Sequence, residues 1–525
     1  MSEFTGSRRG FRDRRFATMD WVANAFARVR SAAEHERSVN FLSRWLFLRL
    51  LGCIYLVAFI SLWMQIDGLV GHNGILPAVD YLKAAGENLG SERFWWLPTF
   101  CWLNASDGFL HFHCVAGTVL SLLLIAGFAP MLDLTLLWAL YLSLSTVCRD
   151  FLGFQWDILL LETGFLAIFF APRSWRPGLS RETPPPVTVL WLFRWLLSRL
   201  MFMSGAVKLL SADAAWRNFT ALTFHYETQP LPTWIGWYAH QLPVWSQKTS
   251  VVVLFLIELA TPFLIPCGRR ARQAACGVFV FLMILISLTG NYCFFTLLTA
   301  GLCLLLLDDL FLARFFPKWL RPAVPAPVAP GRSSVARSAG VAALAIAILL
   351  LSGAETAVRL FRVRRMPLAG LLQWASPLRS VNSYGLFAVM TRTRPEIIVE
   401  GSNDGGTWLA YEFKWKPGDL KRRPAFAAPH QPRLDWQMWF AALGDYRDNP
   451  WFVGFLLRLL RGSPEVAALL DKNPFPDKPP RFIRAGLYQY HFTDIATRRA
   501  TGEWWRRERT GVYCPEISLR QFNRD

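Results

Sequence analysis

Val187–Leu210, VTVLWLFRWLLSRLMFMSGAVKLL, is long and apolar enough to cross a bilayer, yet it carries Arg194, Arg199 and Lys208. A cation at membrane depth costs about 3 kcal/mol on insertion scales, so such residues face a protein interior or a cavity. At about 100° per residue, Arg194, Ser198, Met201, Gly205 and Lys208 fall on one polar, small-residue stripe. The helix therefore looks inward, toward a polar site. Lys208 follows a Ser-Gly-Ala step near the end of the run. A desolvated lysine there would titrate near neutral pH and act as a base. The plainer alternative is a lysine reaching for the interface from a helix end.

The run FLGFQWDILLLETGFLAIFF contains Gln155, Asp157 and Glu162. If it runs antiparallel to Val187–Leu210, Glu162 and Arg199 both sit about 14 Å below the outer surface, at about 1.5 Å per residue. The spacing predicts a Glu162–Arg199 pair, with Asp157 facing Lys208 in an outward-opening cavity. Such a pair often does no more than fix helix packing. His225, Glu227 and Gln229 in TFHYETQP form a polar loop cluster, either binding surface or loop hydrogen bonding. His111 and His113 have HxH spacing but lack carboxylate or cysteine partners at ligand spacing, so no metal site is expected. GxSxG, P-loop and dinucleotide fingerprints are missing, and no cofactor is expected.

The elements that position these groups follow from composition. Hydrophobic residues make up 53% of the 525 and the mean hydropathy is +0.27, a multi-pass membrane profile. The net charge of +19 is scattered through loops between apolar runs, which fits lipid headgroups and argues against nucleic acid. Nine cysteines without a CxxC pair make neither a disulfide framework nor a zinc site. The basic N-terminus has no adjoining signal-peptide core, so no cleaved signal is expected.

About nine apolar runs could span, near 45–65, 111–129, 131–148, 152–171, 187–209, 249–267, 272–289, 291–313 and 338–354. Arginines 8, 9, 12, 14 and 15, Arg173, Arg176 and Arg181, the GRRAR loop, and Arg314, Lys318, Arg321, Arg332 and Arg337 make every second loop basic. That pattern predicts a cytoplasmic N-terminal tail (1–40) and a membrane domain (41–355) with large exoplasmic loops 66–110 and 210–248. A Pro-rich linker (322–336) and an exoplasmic α+β, β-sandwich-like domain (380–525) complete the chain. Strands are read at LFAVMT and EIIVEGS, a turn at NDGG, and amphipathic helices at DWQMWFAAL and WFVGFLLRLLRG.

FLGFQWDILLLETGFLAIFFAP, WRNFTALTFHYETQPLPTWIGWYAHQLP, VNSYGLFAVMTRTRPEIIVEGSNDGGTWLAYEFKWKPGDL and APHQPRLDWQMWFAAL resemble the lipase maturation factor family over roughly residues 40–515. The resemblance implies a multi-pass membrane protein, of the endoplasmic reticulum in animals, where one member supports folding and assembly of secreted dimeric lipases. It also implicates the tail domain in client engagement. MSGAVKLLSADAAW is more distantly similar to the membrane domain of vitamin K-dependent γ-carboxylases, with Lys208 at the position of their proposed basic lysine. VEGSNDGGTW resembles a strand–turn element of discoidin-type sandwiches.

The leading expectation is a non-catalytic maturation factor in the endoplasmic reticulum membrane, or in the inner membrane of a bacterium. Its partners would be the bilayer and secreted clients such as lipases. Candidate client contacts are residues 384–390, Trp408, Trp436 and Trp439. The alternative is a membrane enzyme of the γ-carboxylase-like type with Lys208 as base, helped by Asp157 and His225, acting on a lipid-soluble substrate or cofactor. A lipid or small-molecule transporter is a third class, without a clear inverted repeat to support it.

Overall fold

The computed structural model describes residues 40–177, 184–316, 335–362 and 368–522. The basic tail before Asn40 and residues 322–334 of the Pro-rich linker lie outside the described residues.

The membrane bundle is built from α1 (Phe41–Trp63), α2 (Asp107–Ala126), α3 (Pro130–Val147), α4 (Gln155–Phe170), α5 (Val187–Leu210), α6 (Val244–Phe255), α7 (Arg269–Thr289), α8 (Phe295–Leu304) and α9 (Val335–Phe361). Local chemistry sets the breaks. Gly127, at φ +82°, ends α2, and Pro130 opens α3 where its missing N–H costs nothing. Three prolines, 184–186, precede α5. Among the described residues, seven helices are long and apolar enough to cross a membrane, α6 counting with its helical continuation to Leu264. The chain is a multi-pass α-helical membrane protein.

The remaining apolar runs are shorter than a span. α4 has 16 residues and α8 has 10, against the roughly 20 that a full crossing takes. Both start beneath the tail domain, whose polypeptide covers the depth they do not reach. Asn291, just before α8, donates to Ala425 O (2.8 Å) and accepts from Ala427 N (2.7 Å). Non-helical backbone at such depth is tolerated where protein buries it.

Contacts define the two ends of the bundle. At one end Phe47 meets Phe170 and Phe193, with ring centroids 6.3 and 5.0 Å away. There the Asp309 carboxylate accepts from Phe41 N (2.8 Å) and Leu42 N (2.9 Å), satisfying donors that open the first helical turn. At the other end Trp63 Nε1 donates to His111 Nδ1 (2.8 Å), and Arg362 Nη2 donates to Leu210 O (2.6 Å). The chain enters the bundle at the first end and leaves for the tail domain at the second.

The tail domain is α+β. A four-stranded antiparallel sheet has the order β2 (Leu409–Ala410), β1 (Pro395–Ser402), β5 (Phe482–Phe492), β6 (Trp505–Ile517). A two-stranded sheet joins β3 (Glu412–Phe413) and β4 (Leu470–Lys472), and α10 (Arg433–Ala442) and α11 (Pro450–Leu460) pack beside them. Ile397 and Val399 of β1 are buried, opposite Leu487 and Ala485 of β5. In the NDGG turn Asp404 accepts from Gly406 N (2.9 Å) and Thr407 N (2.8 Å).

The strand expected at LFAVMT does not form. Residues 381–394 are a strap lying on the bundle, because membrane-domain side chains take their backbone groups: Gly385 N donates to Gln155 Oε1 (3.2 Å) and Met390 N to Asp213 Oδ2 (2.5 Å). One hydrophobic core runs through both parts, from Tyr55, Tyr141 and Trp156 of the bundle to Trp436, Phe452 and Tyr513 of the tail. Trp156 and Trp436 meet edge to face at 4.7 Å.

Candidate functional site

The charges on α4 and α5 are neutralised where the tail enters the bundle. Arg199 Nη2 pairs with Glu162 Oε1, both side chains being almost fully buried. The strap completes this pair. Asn382 N and Nδ2 each donate to Glu162 Oε2 at 3.0 Å, and the Tyr384 hydroxyl donates to the same oxygen at 2.7 Å. Arg199 Nη1 donates to Asn382 O at 2.7 Å. A buried charge is tolerable when pairing and hydrogen bonds satisfy it, so strap and helices are mutually dependent. Gly385 must be glycine here: its φ is +149°, and a Cβ would lie 2.7 Å from Val207.

The expected Asp157–Lys208 contact is replaced by two others. Asp157 is gripped bidentately by Arg433 at the start of α10, Nη1–Oδ2 2.6 Å and Nη2–Oδ1 2.9 Å, and the Tyr141 hydroxyl donates to Oδ1 at 2.5 Å. A guanidinium fork matches a carboxylate better than an ammonium does. Lys208 Nζ instead donates to both oxygens of Glu258 at 2.7 Å. Glu258 sits in a π-helical turn, Leu256–Ala260, that continues α6. Such turns break the helical ladder and re-aim side chains.

The polar stripe of α5 meets protein along its length. Arg194 Nε donates to Leu305 O (3.2 Å) and Ser198 Oγ to Pro262 O (3.4 Å). At Gly205 a Cβ would stand 2.8 Å from Leu259 Cδ2, so glycine permits the close approach that brings Glu258 to Lys208. Met201 is buried with them.

His225, on the helix Ala221–Thr228, lies near Lys208 without bonding it. Its Nε2 is 3.1 Å from the Tyr292 hydroxyl, which donates to Gln229 Oε1 at 2.9 Å. Burial, reinforced by the Lys208 charge, pushes the imidazole down to about 4. Glu227 accepts from Phe492 N at 3.0 Å, and Arg394 Nη2 donates to Pro230 O at 2.9 Å. Glu396 holds Arg394 (2.8 Å) and Lys416 (2.9 Å), all three buried. The TFHYETQP cluster is thus a seam between bundle and tail.

His111 and His113 diverge. His111 bonds Trp63 and lies 3.0 Å from Asp67, whereas His113 is buried against Phe109 O (2.8 Å) and Ser143 Oγ (3.1 Å). Among the described residues, no group of three or more His, Cys, Asp or Glu could hold a metal ion.

The proposed client tryptophans are corrected in part. Trp436 and Trp439 are core residues, because α10 lies on the bundle, and Trp439 Nε1 donates to Thr228 O at 2.8 Å. Trp408 is half-buried beneath the Arg484 guanidinium, 4.0 Å from its ring. In the segment 384–390, Tyr384 and Met390 are buried while Val389 is exposed.

Glu258, Asn382, Arg394, Glu396 and Arg433 were not legible as partners. Glu258 alone carried a signal, as a single carboxylate inside the apolar run 249–267. The other partners sit in the tail, far away in sequence.

Comparison with known proteins covers the same two parts that these ion pairs join. The model of the lipase maturation factor transmembrane domain matches residues 42–314, and that of the lipase maturation factor C-terminal domain matches residues 380–515. The chain belongs to the lipase maturation factor family. Lipase maturation factor 2 of Gallus gallus is 38% identical, over 91% of this chain and 81% of its own length. The Homo sapiens protein of that name is 37% identical, over 91% and 83%. Lipase maturation factor 1 of Mus musculus is 36% identical, over 93% and 89%. No solved structure matches this lipase maturation factor homologue.

Proposed function

We propose that this protein is a membrane-anchored maturation factor that assists folding and assembly of secreted proteins such as lipases. The observation that carries the reading is the similarity to lipase maturation factors in both bundle and tail. The geometry supports a client platform. Buried ion pairs clamp the tail to one end of the bundle, so its free surface is presented at a set height above the bilayer. That surface exposes Val389, Leu409, Phe440, Leu443 and Val512, single apolar side chains suited to partly folded chains. Trp408 stands among the candidate contacts.

In this reading the N-terminus is cytoplasmic and the tail domain is lumenal or periplasmic. Arg173, Arg176, Arg269, Arg270 and Arg314 gather at the bundle end opposite the tail, as the positive-inside rule asks of a cytoplasmic face. The membrane is that of the endoplasmic reticulum in a eukaryotic host, or the inner membrane in a bacterium.

The test is the specific activity of a secreted lipase, per unit of secreted protein, in cells of the source organism with and without this chain. A drop on deletion at unchanged lipase synthesis is expected, with restoration by the intact chain. Unchanged specific activity would overturn the reading.

A further inference from the structure

We propose that the cleft between the tail-side end of α1 and the tail domain holds one acyl chain of a membrane phospholipid, with the lipid phosphate at Lys414 and His430. The cleft has a volume of about 440 Å³, within the range of built ligand sites. Leu56, Val57 and Ile60 of α1, with Met64 just past its end, form one wall, and Trp415 and Leu434 of the tail form the other.

The α1 wall belongs to the bilayer side of the helix. Ala58, Phe59 and Leu62 face the bundle and are fully buried, whereas Ile60 is 39% and Met64 74% exposed. Val57, Ile60 and Met64 follow one another at helical spacing, so a single lipid-facing stripe runs into the cleft. Trp63, hydrogen-bonded to His111 one helix away, marks headgroup depth at the same end. The cleft therefore opens where a phospholipid passes from chain to headgroup.

The polar groups suit a phosphate. Ser61 Oγ accepts from Gln431 N at 2.9 Å and shares a hydrogen bond with His430 Nδ1, also at 2.9 Å. In the tautomer whose Nδ1 accepts from Ser61, the neutral ring carries its proton on Nε2 and offers it to an anion. Burial, together with Arg433 and Lys414, keeps the imidazole neutral by lowering its pKa to about 4. Lys414 is exposed and uses one donor on Ala468 O (2.5 Å), which leaves donors for an anion. Asp435 also lines the cleft, but two backbone N–H groups, of Trp415 and Lys416, already hold its carboxylate (2.8 and 2.9 Å).

The test uses the purified full chain in phosphatidylcholine nanodiscs containing phosphatidylglycerol with a diazirine on its acyl chain. After irradiation, adducts are mapped by mass spectrometry. Labelling is expected on α1 residues 57–64 and on Trp415 of the tail wall, besides the lipid-facing Val119 and Leu122 of α2. Ile60→Trp enlarges an already exposed side chain, and is expected to abolish the Trp415 adduct while those at Val119 and Leu122 persist. Lys414→Glu is expected to weaken the Trp415 adduct selectively. Labelling at Val119 and Leu122 with none at Trp415 in the unmodified chain would overturn the proposal. So would a co-purifying peptide that fills the cleft in place of lipid.

Discussion

Asn382 donates both its backbone N–H and its side-chain amide to one oxygen of Glu162, at 3.0 Å each. A residue of the strap thus completes an ion pair between two membrane helices. The same logic recurs at Asp157 and Arg433, where a tail arginine neutralises a membrane-helix carboxylate. Bundle and tail satisfy each other's buried charges, so neither part is electrostatically complete alone.

Glu162→Gln removes the charge that Arg199 and the strap share. Leaving Arg199 unpaired costs about 3–5 kcal/mol. The expected outcome is faster limited proteolysis within residues 381–394 and a lower apparent melting temperature in detergent. Proteolysis at the unmodified rate would mean that the strap is held by its other contacts.

Asp157 and Arg433 call for a double-mutant cycle. Asp157→Asn and Arg433→Met are each expected to lower thermal stability, because each leaves the opposite charge buried and unpaired. The double variant is expected to be more stable than Arg433→Met alone, since neither charge then remains unpaired. Strictly additive losses would argue against direct coupling.

Trp436 and Phe440 lie one turn apart on α10 but serve different ends. Trp436→Ala empties a buried contact with Trp156 and is expected to cost about 3–5 kcal/mol, read as loss of folded protein. Phe440 is 43% exposed, so Phe440→Ser is expected to keep the folded yield and to lower the specific activity of a co-expressed lipase. Full lipase activity with Phe440→Ser would remove this patch from the client surface.

Two histidines make the docked state acid-sensitive. The imidazoles of His225 and His430 lie near 4, lowered from 6.5. Between those values the unfolded chain binds protons that the folded one refuses, so stability falls as pH falls. The contribution is complete above about pH 6.5 and lost progressively toward pH 4. Thermal melts across this window should show the loss, and His225→Gln should reduce it.

Membrane character, the approximate runs and the inward face of Val187–Leu210 were legible in the residues. They depend on local periodicity and on the high cost of a charge in lipid, which act within one segment. Glu162 and Arg199 could be matched because depth along antiparallel helices follows from residue counting. That counting failed for Asp157 and Lys208. It assigns equal depth to both but carries no information about a third element, and the true partners, Arg433 and Glu258, come from the tail and from a π turn. The aromatic helix at 433–442 was visible, but not which way it faces. Periodicity marks an apolar face without saying whether water, a partner or the same chain covers it. Local composition thus marks the segments that enter the bilayer and the charges that need neutralising. That the tail neutralises Asp157 and completes the Glu162–Arg199 pair follows from the fold, because burial makes each charge depend on whichever opposite group is brought within hydrogen-bond reach.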